Sequence, residues 1–216
     1  MKNLNNSTRK TTEYFSRLLI FIIFLGMSAF AQIAQGQTTY KLINGSEMKI
    51  SGTSNLKDWT MVANSFICDA SFKMKSGRVK EISSLNFILP VTSLKSGEDL
   101  MDSRTYKTLK EDQFKNIIFK LKEAKVHRRD RIIRATGDLT ISGVTNPITL
   151  QTTYVLNPDK TITITGAKLI KMSDFKIKAP SFLMGAITTG DDLVIGITLR
   201  LTDKTQQTSV ITKSQR

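Results

Sequence analysis

The amino-acid sequence predicts an all-β fold: a single antiparallel barrel of about eight strands with one short inserted helix. Apolar and polar residues alternate along most of the chain, a period typical of strands with one buried and one solvated face. The chain has 216 residues, 40% of them hydrophobic, so it is long enough for one domain with a sizeable core. About eight strands in one domain favour closure into a barrel, because closure removes exposed sheet edges.

The alternating segments share a common apolar phase. Its members are Phe66, Cys68, Ala70, Phe72 and Met74; Leu85, Phe87, Leu89 and Val91; Phe119 and Leu121; Ile133, Ala135, Gly137, Leu139 and Ile141; Ile148, Leu150, Thr152, Tyr154 and Leu156; and Leu193, Ile195, Ile197, Leu199 and Leu201. Segments near 48–54 and 161–172 complete the set. Turns are predicted at Ser76-Gly77, Arg128–Asp130, Gly143–Pro147 and Asn157–Lys160.

One stretch, residues 97–110, lacks the alternation and favours a helix. Ser96 or Gly97 is its expected cap, and acidic residues follow in the first turn. The small inward-phase residues Ala70, Ala135 and Gly137 would leave room inside an eight-stranded barrel for one ligand, although tapering barrels also use small residues for packing.

The N-terminus has the pattern of a secretory signal peptide over residues 1–36. Residues 1–17 are polar and basic, residues 18–25 are uninterrupted apolar, and Ala29-Phe30-Ala31 fits a cleavage site. Cleavage is expected after Ala31 or Gly36, with an uncleaved anchor as the weaker alternative. The expected domains are therefore the signal peptide, a barrel over 37–202 and a polar tail over 203–216, in a periplasmic or secreted protein.

The charge of the chain is strongly basic, with a formal net value of +14. Residues 1–31 contain four basic residues and one acidic residue, so their removal would leave +11. The remaining lysines and arginines are spread along the chain and often alternate with apolar residues. This spacing favours solvated outer strand faces over a nucleic-acid-binding surface.

Few residues suited to catalysis or metal binding are present. His127 is the single histidine and Cys68 the single cysteine, so neither a disulfide nor a soft metal site is expected. The carboxylates of Glu98, Asp99 and Asp102, or those of Asp191 and Asp192, match no ordered calcium loop. The sequence thus predicts a binding protein without catalytic residues or a cofactor, and a hydrolase or isomerase using carboxylates alone is the alternative.

Four stretches together resemble the YceI-like family, in the version common in Bacteroidetes. They cover about residues 40–202 in order and spacing. They are SGTSNLKDW at 51–59; Ser93–Gly97 with Met101-Asp102, Tyr106–Leu109 and Ile117–Phe119; GDLTISGVTNPI at 137–148; and Met172–Ile177 with Ala179–Phe182 and Thr189–Asp191.

The resemblance implies a lipocalin-like barrel that holds a polyisoprenoid chain as a ligand. A ligand-free structural barrel of the cell envelope is the competing hypothesis. Transient membrane-surface contact and a homodimer are both left open by the sequence. The candidate ligand-binding residues are Trp59, Phe66, Phe72, Phe87, Leu89, Phe119, Leu121, Leu139 and Leu150.

Two positions depart from the family pattern. Lys57 stands where relatives often have His before Asp-Trp, and Lys176 replaces the usual Gly of an Asp-Phe-Gly-Ile segment. If that glycine serves a backbone with positive φ, Lys176 implies a changed local turn. The two lysines are candidate contacts for a phosphate or pyrophosphate headgroup, and two solvated surface lysines are the alternative.

Export makes a direct prediction about the mature N-terminus. N-terminal sequencing of the exported protein should start at Gln32 or Gln37, because signal peptidase cleaves after small residues. The variant Ile22→Lys, which places a charge in the apolar run, should block processing. Recovery of an intact Met1 start from wild-type protein in the cytoplasm would contradict the assignment.

Overall fold

The structure is a computed structural model that describes residues 38–75 and 78–204. These residues belong to one compact unit, 37–216. The predicted signal peptide, the predicted Ser76-Gly77 turn and residues 205–216 of the predicted tail lie outside the described residues.

The described residues form eleven strands and three short helices. The strands are β1 Thr38–Leu42, β2 Glu47–Ser54, β3 Trp59–Ala63, β4 Ile67–Lys75, β5 Arg78–Pro90, β6 Asn116–His127, β7 Ile132–Ile141, β8 Val144–Leu156, β9 Ile162–Lys171, β10 Ser181–Phe182 and β11 Ile187–Asp203. The helices are the α-helix α1, Asp99–Thr108, and the 3₁₀ helices Val91–Ser93 and Ser173–Phe175.

These strands close into an eight-stranded antiparallel barrel, which confirms the predicted fold class. Both β1 and β2 pair with β11, and β4 and β3 pair with β1 and β2 in turn. β1 and β2 therefore act together as one long strand with an interruption, and β3 and β4 act together as another. The ring continues through β5, β6, β7, β8 and β9 back to β11, so its main strands have no free edge.

The barrel has two distinct ends. The β6–β7 and β8–β9 hairpin turns lie at one end, together with the last residues of β11. The β2–β3, β5–β6, β7–β8 and β9–β11 connections lie at the other end. We call the first the hairpin end and the second the helix end, because α1 belongs to the β5–β6 connection.

The helix is where the loss of alternation predicts it, but its start differs. Its N-cap is Glu98, not Ser96 or Gly97. Ser96 instead accepts a hydrogen bond at Oγ from the Glu98 backbone N–H, so it orders the turn before the helix. Within the described residues no helix is long and apolar enough to cross a membrane.

The β7–β8 turn is shorter than predicted. It consists of Ser142 and Gly143, both with positive φ, as a two-residue hairpin turn requires. Phe114 leaves no room for a side chain at Gly143, because a Cβ there would lie 2.5 Å from the ring. β8 therefore starts at Val144 and includes Pro147, which was expected in the turn.

The inward faces follow the predicted phase along most strands. In β7 the residues Ile133, Ala135, Gly137, Leu139 and Ile141 are buried. In β6 a bulge between Leu121 and Glu123 shifts the phase, so that Ala124 and Val126 turn toward the core. The hairpin end is filled by fully buried side chains, namely Phe72, Val79, Ile162 and Leu201.

Gly137 does not leave room for a ligand, contrary to the expectation from its size. A Cβ at this position would lie 2.3 Å from the Lys120 carbonyl oxygen and 2.6 Å from Cζ of Phe119. The Phe119 ring therefore occupies the space over the glycine. Ala70 is fully buried, and of the three small residues only Ala135 lines the cavity described below.

Gly137 and Gly196 give a matched stability test, since both lie inside strands. Gly137→Ala should lower the free energy of unfolding by roughly 1–3 kcal/mol or more, because a backbone oxygen cannot move aside. Gly196→Ala should stay within about 0.5 kcal/mol of wild type, since its Cβ would meet nothing closer than 3.8 Å. Urea denaturation measures both values. Equal values would contradict the assigned packing of Phe119.

Candidate ligand-binding cavity

An apolar cavity of about 360 Å³ occupies the interior toward the helix end. Its wall consists mainly of inward-facing Leu, Ile, Met and Phe side chains from β2, β3, β5, β6, β7, β8, β9 and β11. The side chains that fill the hairpin end, such as Phe72 and Leu201, do not line it. The interior is thus divided into a packed half and a hollow half.

Most of the candidate ligand-binding residues lie on the wall of this cavity. They are Trp59, Phe87, Leu89, Phe119, Leu121, Leu139 and Leu150. The structure brings them together from five different strands. Their shared period-two phase is the signal that identified all of them except Trp59, which starts β3.

Two of the candidate residues, Phe66 and Phe72, do not line the cavity. Phe72 is fully buried at the hairpin end, where its ring meets Tyr40 edge-on at 5.0 Å. Phe66 precedes β4 and packs against Phe87 with ring centroids 5.1 Å apart. The phase of Phe72 was correct for burial, but a period of two gives the face of a residue and not its height along the barrel axis. Phe66 lies in the interruption between β3 and β4, beside the segment that joins β1 to β2.

Several wall residues carried no alternating signal in the sequence. Leu94 and Met101 come from the β5–β6 connection, and Phe175 and Ile177 come from the connection after β9. These irregular segments fold over the helix end. They could be assigned only once the topology placed both connections at that end.

Trp59 forms part of the wall through a close cross-strand contact. It pairs with Gly52, and a Cβ on Gly52 would lie 2.3 Å from Cζ2 of the indole. The indole Nε1–H donates a hydrogen bond to the Thr53 carbonyl oxygen at 3.2 Å. The ring is therefore fixed flat against the wall, where a ligand would change its environment.

Three segments surround the mouth of the cavity, and side-chain contacts join them. The exposed residues of the lining are Leu56, Lys57, Glu98, Leu100 and Arg104. They belong to the β2–β3 loop and to α1 with its N-cap. The third segment is the β10–β11 hairpin, of which Phe182 and Ile187 reach the lining.

The contacts between these segments are few and lie at the surface. Asn55 Nδ2 donates to the Ala186 carbonyl oxygen at 2.8 Å, and Asn55 Oδ1 accepts from the Thr188 N–H at 2.9 Å. The Arg104 guanidinium lies 4.3 Å from the ring centre of Phe182. These contacts join the hairpin to the loop on one side and to α1 on the other.

Large apolar side chains are exposed around this mouth. Leu56 and Leu100 are 69% and 61% exposed, and Leu183 and Met184 at the hairpin tip are 72% and 100% exposed. We call these four residues the rim. Leu183 and Met184 also have positive φ, 50° and 57°, a conformation in which Asn, Asp and Gly are the usual turn residues.

The two candidate headgroup lysines lie in different places. Lys57 is at the mouth, 70% exposed, with its Nζ 3.5 Å from Glu98 Oε1. An exposed pair of this kind contributes little to stability. Lys176 is exposed and is not part of the lining. It adopts the left-handed conformation itself, with φ 55°, so the expected change of turn is not required.

Asp102 anchors the connection that carries α1. Its Oδ1 accepts hydrogen bonds from the Ser96 N–H and from Ser96 Oγ, each at 2.7 Å. Burial alone would raise the pKa of Asp102, but the hydrogen bonds from Ser96 and the nearby Lys95 outweigh burial and hold the pKa below its ordinary value. The carboxylate is therefore occupied as a structural acceptor.

The other groups considered for chemistry also have structural surroundings. Burial raises the pKa of the Cys68 thiol to about 12, with a smaller contribution from Asp69, so the thiolate is not formed at neutral pH. Asp191 accepts from Ser173 N–H at 2.8 Å, and Asp192 pairs with Lys171 at 2.7 Å. Across the described residues, no three His, Cys, Asp or Glu side chains cluster as metal ligands.

Solved structures with the same fold belong to proteins of distant sequence. BcnA from Burkholderia cenocepacia has a TM-score of 0.59 at 19% identity, over 72% of this chain and 96% of BcnA. A polyisoprenoid-binding domain from Saccharophagus degradans, implicated in plant cell wall breakdown, has a TM-score of 0.58 at 13% identity, over 77% of this chain and 99% of that domain. The YCEI protein of Campylobacter jejuni has a TM-score of 0.51 at 19% identity, over 63% of this chain and 81% of that protein.

Sequence comparison gives the family directly. No curated protein sequence matches the chain. The family model of the YceI-like domain matches residues 36–201, which is the whole barrel except for the last residues of β11. The four motifs, the barrel and this match agree, and the chain belongs to the YceI-like family.

Proposed function

We propose that this protein is an exported, non-enzymatic carrier or reservoir that holds a long apolar lipid, such as a polyisoprenoid, in its barrel. The observation that carries the proposal is the apolar cavity of about 360 Å³ that opens between the β2–β3 loop, α1 and the β10–β11 hairpin. Export rests on the N-terminal sequence pattern. The name of the Saccharophagus degradans domain, which has the same fold, supports a polyisoprenoid as the ligand class.

The lining explains how such a ligand would be held. Each buried methylene contributes about 0.8 kcal/mol, so a few isoprene units are enough for micromolar binding before ordering costs. The described carboxylates near the cavity pair with lysines or serines, as Glu98 and Asp102 do. This arrangement favours binding over turnover.

The rim suggests how a lipid would enter, namely by transient contact with a membrane surface. Four large apolar side chains surround the mouth, and two of them, Leu183 and Met184, combine an unfavourable backbone conformation with 72% and 100% exposure. Strain of this kind commonly marks a functional segment. In a bilayer interface the exposed side chains would be buried, and the mouth would face the lipid.

Filling the cavity should abolish lipid binding without affecting the outer surface. Ala135→Phe places a ring in the hollow half and should weaken binding of geranylgeraniol at least about tenfold, because displacing two methylenes already has that effect. Trp59 fluorescence measures binding. The control Ala167→Phe, on the exposed face of β9, should bind as wild type does. If folded Ala135→Phe binds like wild type, the ligand does not lie in this cavity. If wild type binds nothing and copurifies with no lipid, the ligand-free structural barrel is favoured.

Changing the hairpin tip should separate membrane contact from folding. The double variant Leu183→Asn with Met184→Gly supplies residues suited to positive φ, so the free energy of unfolding should be retained or raised by up to about 1 kcal/mol. Its rate of extracting geranylgeraniol from phosphatidylcholine vesicles should fall severalfold, with affinity for the free ligand unchanged. Leu169→Asn, on the exposed outer face of β9, is the control. An unchanged extraction rate in the double variant would contradict membrane contact through the rim.

A further inference from the structure

The cavity wall below the mouth contains two polar residues on neighbouring strands, Thr152 on β8 and Lys168 on β9. The other polar residues of the described lining belong to α1 and its N-cap, to the β2–β3 loop or to strand ends beside it. These are Ser54, Lys57, Glu98, Arg104, Thr105, Thr108 and Thr189. Thr152 and Lys168 thus form a separate polar spot in an otherwise apolar wall.

Lys168 lies on the inward face of β9. It shares its phase with Ile164, Gly166 and Ile170, which face the interior, whereas Leu169 next to it is 60% exposed on the outer face. The strand therefore directs a cation inward and a leucine outward, the reverse of the usual pattern of apolar residues inward and polar residues outward. Among the described residues Lys168 has neither an ion pair nor a side-chain hydrogen bond, so its partial burial is not offset by a protein partner.

The pairing between β8 and β9 ends just before Lys168. The β8–β9 pairs run from Leu156↔Ile162 to Thr152↔Gly166 and end there, although both strands continue toward the helix end. Closer to that end, Asn146 Nδ2 donates to the Asp174 carbonyl oxygen at 2.6 Å. Between these two points no ladder pair joins the described residues of β8 and β9. Lys168 lies in this section, where β9 is paired with β11 but not with β8.

We propose that Lys168, with Thr152 beside it, is the binding site for an acidic head group, a carboxylate or a phosphate, of a lipid whose tail lies in the cavity. This inference rests on the proposed function and names the ligand class. The ammonium supplies three donors and a full charge. The Thr152 hydroxyl, whose hydrogen bond to the Ile133 carbonyl oxygen is long at 3.5 Å, would turn from that oxygen to the acid. A charge-assisted hydrogen bond is strong where water is partly excluded, and the unpaired wall section gives the acid some access to solvent.

The cations at the mouth are less suited to this role. Lys57 already pairs with Glu98, and Arg104 lies over the Phe182 ring. Both are exposed, so their interaction with an acid would be weakened by water and salt. Lys168 is half-buried and lacks a described partner, so it can discriminate between an acidic and a neutral head.

The test compares three ligands with the same tail: geranylgeraniol, geranylgeranyl phosphate and geranylgeranoic acid. Wild-type protein should bind at least one of the acids about tenfold or more tightly than the alcohol, the usual gain from one partly buried charge-assisted hydrogen bond. Lys168→Met keeps the length and apolar character of the side chain. It should bring the acid-to-alcohol ratio close to one without weakening binding of the alcohol.

The control is Lys171→Met, an outward-facing lysine of the same strand that pairs with Asp192, and it should keep the wild-type ratio. Thr152→Val should lower the ratio partially, which a purely structural role of Lys168 would not produce. The inference is overturned if wild type binds the alcohol but prefers neither acid, or if Lys168→Met keeps the preference. If wild type binds none of the three, the proposed function itself fails. The acid with the larger ratio identifies the head group.

Discussion

A closed ring of eight strands encloses a fixed interior, and this chain fills that interior with side chains at one end only. At the hairpin end the fully buried Phe72, Val79, Ile162 and Leu201 complete the core. Toward the helix end the inward side chains lie along the wall without meeting across the interior, and two irregular connections cover that end incompletely. The cavity is therefore a consequence of where large and small inward residues stand along the strands, while closure of the ring prevents the wall from collapsing into it.

Two aromatic residues shape this wall by lying over glycines on neighbouring strands. Phe119 covers Gly137, and Trp59 covers Gly52. In both places the missing Cβ lets the ring lie close to the backbone, so the aromatic side chain lines the cavity instead of crossing it. Gly137, which was predicted to leave space for a ligand, instead provides space for an aromatic ring, as Gly52 does.

The period of two was sufficient to predict the fold class and the inward faces, because the polarity of each strand residue depends on whether it faces the interior or the solvent. It could not separate Phe72 from Phe87, since both are inward and they differ only in height along the barrel. It also could not assign Phe175 or Ile177, which lie in a connection whose position depends on the whole topology. Lys168 was missed for a related reason: in a chain where lysines alternate with apolar residues throughout, one lysine in the inward phase looks like the others.

The barrel ring and the mouth differ in the strength of the contacts that hold them. The ring is held by backbone ladders, whereas the contacts across the mouth are an exposed ion pair, one ring contact, two side-chain hydrogen bonds and the backbone hydrogen bond from Asn55 to Thr188. Each of the mouth contacts is worth about 1 kcal/mol or less at a surface, so the mouth can open at a cost that leaves the barrel intact, as expected of the less stable parts of a fold. An apolar tail would gain its affinity from the area it buries, and this gain depends little on which apolar tail is bound. Selectivity must then come from the few polar atoms in the wall, and Lys168 lies where the ladder between β8 and β9 has ended and both tail and water can be reached.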